Sequence, residues 1–566
     1  MEKCKNIGIM GNAFRVMAGL DTVYGYDVAV DDLFKAIATY TTAEKMKCLY
    51  EPMQFQEQAI KRKYKLLKRK GKVNTELELI SEFDTLGVNP QIDVDILHNV
   101  SMEFKELIYM REFFTKTKCP ITYTIHGASY PNYIESLYLM KLLLPFRKYD
   151  SLICTSHAVK ATIQRMLENI SESLKKSHNI DVRYEGRLDV IPLGIDIDKF
   201  KPMPKEAARM KNDLPNDAFV ILWIGRLSAY DKADLLPMLV MYKRLLKNNP
   251  NRKLLLVLAG HDRVTMPFLP AIYQSIEQLG LGDNVKVIDK NDVSNRETLF
   301  ASADVFISPI DNVQETFGIT PIEAMACGVP QVVSGWDGYK DTVADGETGF
   351  LVPTYWMKCD DDIRRAALVP SDMLHRTGLQ HFSLAQSVVV DLEYYQDCIQ
   401  RLIDDEELRQ KMSENSRKRA VEKFQWSKII KQYEELWDEL RSIQSEEEDV
   451  NRQDELKFIQ PIYCDAFASY PTKFLESDVM VKVTEEGHEL ATGGAYRASH
   501  YPMEEGLVQF KLGRKIVEYL DEKAGECSVQ EIINNLKDEY TESMIKRSTL
   551  WALKQGLARF ANERTK

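Results

Sequence analysis

VFISPIDNVQETFGITPIEAMACGVPQVV, residues 305–333, joins two short apolar runs, 305–308 and 331–333, through a loop and a helix-length segment. Near-continuous runs of Val, Ile and Phe are what a parallel strand buried on both faces requires. Pro321 suits a first helical turn, where its missing N–H costs little, and Gly318 lets backbone approach a ligand closely. Strand, loop, helix and strand form the repeating unit of a doubly wound sheet, whose ligands sit beyond the carboxyl ends of the strands. The loop of this unit carries Glu315, and its helix carries Glu323.

The same pattern extends on either side. Further strands are predicted over 219–224, 254–258 and 285–288, with a helix start marked by the capping box Ser294-Asn-Arg-Glu297. An earlier alternating series has strands over 6–10, 95–98, 121–125 and 151–154, the last followed by a helix over 158–168. The fold class is therefore α/β, with two successive Rossmann-like doubly wound domains. The expected division is 1–198 for the first domain, 199–410 for the second and 411–445 for long amphipathic helices. An acidic linker, 446–454, contains Glu446, Glu447, Glu448 and Asp449. Residues 455–566 read as a separate small α+β domain with a β-rich start, three helices near 511–521, 528–536 and 541–555, and a last strand near 556–560. That order resembles a winged helix, and Ser528-Val-Gln-Glu531 supplies a second capping box.

Bulk properties narrow the function. A net charge of −11 argues against whole-surface attraction to nucleic acid. From Glu455 onward, fifteen Lys and Arg stand against eighteen Asp and Glu, a net of −3, whereas DNA-reading domains are usually basic. Nine scattered cysteines without a Cys-x-x-Cys pair read as reduced thiols, so a cytoplasmic location is expected. No run of 18 or more apolar residues suggests a membrane span. A helix over 55–72 carries Lys61, Arg62, Lys63, Lys65, Lys68, Arg69, Lys70 and Lys72, which suits either a solvated face or docking to a partner or to anionic lipid at the inner face of a membrane.

Two clusters carry chemistry. Were Glu315 and Glu323 both helical, eight residues would separate them by about 12 Å, beyond the roughly 5 to 9.5 Å of paired glycosidase carboxylates. A division of labour follows, one carboxylate near a sugar and the other on a ribose diol. Gly225-Arg226-Leu-Ser-Ala-Tyr-Asp-Lys232 leaves the strand that ends at Ile224, so Arg226 and Lys232 enter the same crevice. A guanidinium and an ammonium there can neutralise a diphosphate leaving group, a task that other transferases give to a metal ion.

These residues resemble the retaining glycosyltransferases of the GT-B fold, glycosyltransferase family 4, also called glycosyl transferases group 1. The similarity covers roughly residues 90–440 and includes Ile121-Thr-Tyr-Thr-Ile-His126-Gly127, Cys154-Thr-Ser-His-Ala158, Ile191-Pro-Leu-Gly-Ile-Asp196, the Gly225 to Lys232 stretch and the Glu-x7-Glu element ending at Glu323. Glu323-Ala-Met-Ala-Cys-Gly-Val-Pro330 and Gly346-Glu-Thr-Gly-Phe-Leu-Val352 continue the match. The resemblance implies a nucleotide-sugar donor, with UDP- and GDP-sugars as the candidates, held by the second domain. By it, Arg226 and Lys232 would contact the diphosphate, Glu323 the ribose and Glu315 the transferred sugar. Backbone at Gly225, Phe317, Gly318 and Ile319 would line the donor site, and backbone near Ile288 would contact the base. His126 would face the sugar from the first domain.

The chemistry implied is metal-independent hexosyl transfer with retention, and no cofactor is called for. Asp93-Val-Asp95 and Asp196-Ile-Asp198 spell a metal-binding pattern, but the first leads into a strand and the second belongs to the interdomain stretch. Lys232 stands one residue farther from Arg226 than in the commonest form of the motif, and the loop from Gly11 to Gly25 lacks the usual paired glycines. The acceptor is left open among protein or peptide, lipid and small molecule. The C-terminal domain reads as a protein- or peptide-binding module, and the alternative from another class is a sugar-responsive regulator that binds DNA through it.

Overall fold

A computed structural model of the chain describes residues 4–10, 25–50, 56–71, 73–81, 92–100, 106–130, 133–262, 267–289, 295–358, 373–459, 462–494 and 508–561. The first sheet comprises β1 (Asn6–Met10), β2 (Lys45–Tyr50), β3 (Glu76–Ser81), β4 (Ile96–Asn99), β5 (Ile121–Ile125), β6 (Ser151–Cys154) and β7 (Arg187–Val190). Its order is β3-β2-β1-β4-β5-β6-β7, parallel throughout. The second comprises β8 (Phe219–Ile224), β9 (Leu254–Gly260), β10 (Val285–Asp289), β11 (Val305–Ser308), β12 (Gln331–Ser334) and β13 (Gly349–Val352). Its order, β10-β9-β8-β11-β12-β13, repeats the same winding. The two doubly wound domains make the GT-B architecture, and in each the strand order reverses beside the first strand, the point where such sheets open a crevice.

Strands β2, β3, β7 and β13 escape the sequence reading, and at the two edges of the first sheet the reason is physical. Strands β3 and β7 lie at the two edges of the first sheet and are only partly buried. Their sequences, ELELIS and RLDV, carry charges that blunt an edge and break the apolar run. Central strands such as β8 and β11, which are almost wholly buried, lie where the sequence reading puts them.

One core serves the second domain, with Trp223, Leu256, Phe306 and Val332 among its fully buried residues. The first domain has one core on each face of its sheet. The helix Trp426–Ser445 crosses back to cover one of those faces. Its buried residues Trp426, Ile429, Ile430, Tyr433, Leu436, Trp437 and Leu440 follow helical spacing and pack with Ile7, Ile9 and Val30. Trp437 Nε1 donates to Thr122 Oγ1 at 3.2 Å, and the Tyr433 and Thr124 hydroxyls are 2.8 Å apart. By contrast Met412, just upstream on the helix Glu406–Arg419, is buried in the second domain's core. This stretch ties the two domains together.

The end of the acidic linker is held on the first domain. Arg111, Glu112, Arg147 and Asp150 form a buried network in the first domain, with Arg111 Nη1 to Asp150 Oδ1 at 2.6 Å and Arg147 Nη2 to Glu112 Oε1 at 2.9 Å. The same Arg147 nitrogen donates to the Val450 carbonyl at 2.7 Å, and the Arg452 N–H donates to Glu112 Oε2 at 3.2 Å. The 3-10 helix Gln453–Ile459 continues along this surface and buries Leu456 in a first-domain core. The boundary at 455 is thus corrected: residues 453–459 pack with the first domain.

Strands β14 (Thr354–Trp356) and β15 (Val388–Val390) pair antiparallel, and farther on β16 (Met480–Val483), β17 (Cys527–Ser528) and β18 (Ala558–Phe560) form an antiparallel sheet in the order β17-β16-β18. Helices Phe510–Lys523, Val529–Leu536 and Glu542–Lys554 cover it through Leu512, Ile516, Ile532 and Trp551. Both halves of the Ser528/Glu531 capping box form. The expected β-rich start reduces to β16 among the described residues, because the preceding Tyr463–Ala466 is a short helix.

The basic helix is present as Gln56–Arg69 and buries Ile60 against the first domain. Two of its charges are matched, Lys61 by Glu57 and Lys63 by Asp31. Lys72, Ser294 of the first capping box and the loop over 11–24 lie outside the described residues. Among those described, no helix is long and apolar enough to cross a membrane.

Candidate active site

Strands β8 and β11 are neighbours at the switch point of the second sheet, and the loops from their carboxyl ends carry the cationic and acidic residues singled out above. Lys232 Nζ, from the β8 loop, donates to Glu315 Oε2 of the β11 loop at 2.6 Å. The second oxygen of Glu315 accepts the Gly318 N–H at 3.1 Å. Burial works against this carboxylate, yet Lys232 and the amides of Thr316 and Gly318 hold it below the usual range, so it is ionised at neutral pH. Arg226 Nη1 donates to Asp231 Oδ2 at 2.8 Å, which fixes the guanidinium within the same loop. Gly225 and Gly260 permit this packing: a Cβ on Gly260 would stand 1.7 Å from the Gly225 carbonyl oxygen.

Gly318 adopts φ +93, and a Cβ there would fall 2.1 Å from the Tyr339 ring. It stands at the N-cap of the helix Ile319–Ala326 with no side-chain cap, so the first-turn N–H groups point out of the helix unmatched by a capping side chain. Phe317 is buried beneath. Glu323, inside that helix, pairs with Arg296. Burial raises the Glu323 carboxyl, and Arg296 opposes that rise. Ile288 is near the carboxyl end of β10, paired in register with Ala259 of β9.

The first domain closes the crevice from the other side. His126 follows β5, and burial pushes its imidazole down to about 4, so the ring is neutral at pH 7. One ring nitrogen bonds to the Val100 backbone, while Nε2 is buried with no hydrogen-bond partner among the described residues. Thr316 Oγ1 donates to the His126 carbonyl at 3.2 Å, and Ser156 Oγ donates to the Thr316 carbonyl at 2.8 Å. Gln314 Nε2 bonds the Tyr130 hydroxyl, and His381 Nε2 lies 3.0 Å from Ser129 Oγ. The loop that carries Glu315 is thereby docked on the strand end that carries His126.

The structure thus brings Gly225, Arg226, Lys232, Glu315, Phe317, Gly318 and Ile319 to one crevice wall and His126 to the facing one. The Asp-x-Asp carboxylates have other partners: Asp95 accepts the Asn6 N–H at 2.8 Å and Asp196 the Asp198 N–H at 3.0 Å. Sequence reasoning missed Arg296 and Thr316, whose partners are distant in sequence and leave no local trace.

Known proteins resemble this chain over part of its length. The D-inositol 3-phosphate glycosyltransferase 2 of Catenulispora acidiphila is 30% identical over 191 residues, covering 33% of this chain and 44% of that protein. The D-inositol 3-phosphate glycosyltransferase of Streptosporangium roseum is 32% identical over 173 residues, 30% of this chain and 38% of that one. The matches thus span less than half the length of these two relatives. Among solved structures, sucrose-phosphate synthase from Thermosynechococcus elongatus aligns at TM-score 0.48 and 17% identity, over 78% of this chain and 100% of that one. Anabaena HepE in complex with UDP aligns at 0.49 and 16%, over 77% and 100%. Residues 204–377, which contain the β8 and β11 loops, match the family described as Glycosyl transferases group 1.

Proposed function

We propose that this chain transfers a glycosyl unit from a nucleoside diphosphate sugar to an acceptor hydroxyl, with retention of anomeric configuration and without a metal ion. The observation that carries the reading is the Lys232–Glu315 contact of 2.6 Å at the switch point, beside Arg226 and the uncapped helix start at Ile319. A cation pair and a helix N-terminus stabilise the charge that grows on a departing diphosphate. The match of residues 204–377 to a glycosyltransferase family supports the class.

In this reading the acceptor oxygen attacks the anomeric carbon on the face from which the diphosphate leaves. The bond between that carbon and the diphosphate oxygen breaks, and the acceptor proton passes to a phosphate oxygen. Lys232 and Arg226 bear the leaving-group charge, Glu315 orients the sugar, and Glu323 takes the ribose hydroxyls once Arg296 shifts aside. Neutral His126 accepts a hydrogen bond from the sugar through Nε2. The C-terminal domain is assigned the binding of a protein or peptide.

A thermal-shift screen against UDP-, GDP- and ADP-sugars identifies the donor, and turnover of Arg226→Ala and Lys232→Ala tests the roles. Losses of at least about a hundredfold in each are expected. Near wild-type rates in both variants, or a product of inverted configuration, would refute the proposal.

A further inference from the structure

The loop after β12, Gly335-Trp-Asp-Gly338, is given no task by the chemistry above, yet it is built into the crevice. A Cβ on Gly338 would stand 2.5 Å from the Cα of Phe317, so this loop lies directly against the one that carries Glu315. Trp336 Nε1 donates to the Asn312 carbonyl at 2.9 Å, and Asn312 Nδ2 donates to the Tyr230 carbonyl at 2.7 Å. The loops after β8, β11 and β12 are therefore bonded edge to edge.

Asp337 sits in this loop at φ +46, a left-handed conformation that glycine adopts more readily than any residue with a Cβ. Its Oδ2 is buried and has no hydrogen-bond partner among the described residues, although buried side-chain oxygens are bonded in the large majority of cases. Burial and the neighbouring Glu315 carboxylate hold the Asp337 carboxyl well above its usual range, against the opposing hydrogen bond from the Gly338 backbone. A strained backbone and an unmatched buried oxygen both oppose stability. Their meeting beside the carboxylate assigned to the sugar points to a ligand.

We propose that Asp337 determines donor specificity by hydrogen bonding a hydroxyl of the transferred glycosyl unit, next to the hydroxyl taken by Glu315. The assignment rests on the reading of this crevice as a nucleotide-sugar site. Two carboxyl groups on loops from adjacent strands suit neighbouring hydroxyls of one sugar ring. The nucleotide, held by the β8 loop and the helix at Ile319, does not require Asp337.

The test is calorimetric binding of the full chain to UDP, GDP and ADP, each beside its glucose conjugate, with UDP-galactose and GDP-mannose added. The quantity read is the ratio of nucleotide Kd to nucleotide-sugar Kd for the best pair. Asp337→Gly removes the carboxyl while easing the backbone, and is expected to keep or raise Tm. It should leave nucleotide affinity within about twofold and lower the ratio about three- to tenfold, the worth of one hydrogen bond. Asp337→Asn, which also tolerates φ > 0, is expected to fall between. A wild-type ratio near one, or one that Asp337→Gly preserves, overturns the role of Asp337 and leaves nucleotide binding standing. Wild-type protein that binds none of the nucleotides overturns the underlying reading instead.

Discussion

Thr316 Oγ1 donates to the carbonyl oxygen of His126 at 3.2 Å, so the residue next to Glu315 is bonded to the facing domain. The Thr316 carbonyl in turn accepts from Ser156 Oγ, the side chain that also caps the helix His157–His178 by accepting the Val159 N–H. One residue of the second domain is thus held by two elements of the first. The spacing between Glu315 and His126 is set by these bonds rather than by contact of the two side chains themselves.

Thr316→Val removes the donor at nearly constant volume and leaves the His126 carbonyl short of a partner. A loss of about 0.5 to 1.5 kcal/mol is expected, read as a three- to tenfold fall in kcat/KM with little change in Tm. Ser156→Ala is expected to cost more stability, about 1 to 2 kcal/mol, because an N-cap goes with the interdomain bond. Steady-state kinetics and urea denaturation of the two variants separate the effects. Equal loss of stability in both would show that the Thr316 bond serves folding alone.

The Lys232–Glu315 pair gives a pH test with a defined sign. The folded-state carboxyl of Glu315 lies below its ordinary value of 4.5, so its contribution to stability is present above that value and is lost as pH falls through the folded one. Lys232→Met keeps the burial and removes the cation, which turns the shift upward. The variant should be least stable relative to wild type at pH 7, by about 3 kcal/mol, and the gap should narrow towards pH 4.5 as Glu315 takes up a proton. Adding Glu315→Gln should restore stability without restoring turnover. A gap that does not vary with pH would remove Lys232 as the partner that keeps Glu315 ionised.

Much of this arrangement was written locally. The β11 strand is four fully buried residues, and Gly318 and Pro321 mark where loop becomes helix, so 305–333 discloses strand, loop and helix without help from elsewhere. The same holds for β8 and Arg226. What the sequence could not disclose is pairing at long range: Arg296 with Glu323, Thr316 with His126, and residues 450–459 with Glu112. The hold on the linker was hidden too: Arg147 donates to its Val450 carbonyl and its own Arg452 reaches Glu185, contacts that no periodicity encodes. The C-terminal start misled in a different way, since its aromatic residues mimic strand composition around the helix Tyr463–Ala466.

Two histidines beneath the crevice set a second pH dependence. His98 is fully buried, with Nδ1 2.9 Å from Thr122 Oγ1, and burial pushes it down to about 3. A folded value below the ordinary 6.5 means that the unfolded chain binds the proton first, so stability falls as pH drops below 6.5. By pH 5 the loss from His98 is about 2 kcal/mol. His98→Gln is expected to flatten the stability profile between pH 7 and 5 by that amount. NMR titration should show His126 neutral down to about pH 4, and hence no limb near 6.5 from it in the kcat/KM profile. A His126 midpoint near 6.5 would mean that the ring is open to water and is not a buried acceptor.

The buried network offers a test of how the linker is held. Glu112 and Arg147 have side-chain exposures of 0% and 7%, and Arg147 alone joins this carboxylate to the Val450 carbonyl. Arg147→Ala leaves Glu112 with Arg111 Nε at 3.0 Å and the Arg452 N–H at 3.2 Å, so the carboxylate is weakened rather than stranded. A destabilisation of about 3 kcal/mol is expected, the lower end for a broken buried pair. Arg452→Ala should barely alter global stability, because its partners Glu185 and Glu455 are largely exposed, yet it removes the side chain that grips the Phe146 carbonyl at 2.9 Å. Limited proteolysis should then cut Arg452→Ala within 446–459 faster than wild type while the urea midpoint stays unchanged. Cleavage at the wild-type rate in both variants would mean that Leu456 and its apolar contacts, rather than the arginines, hold this segment on the first domain.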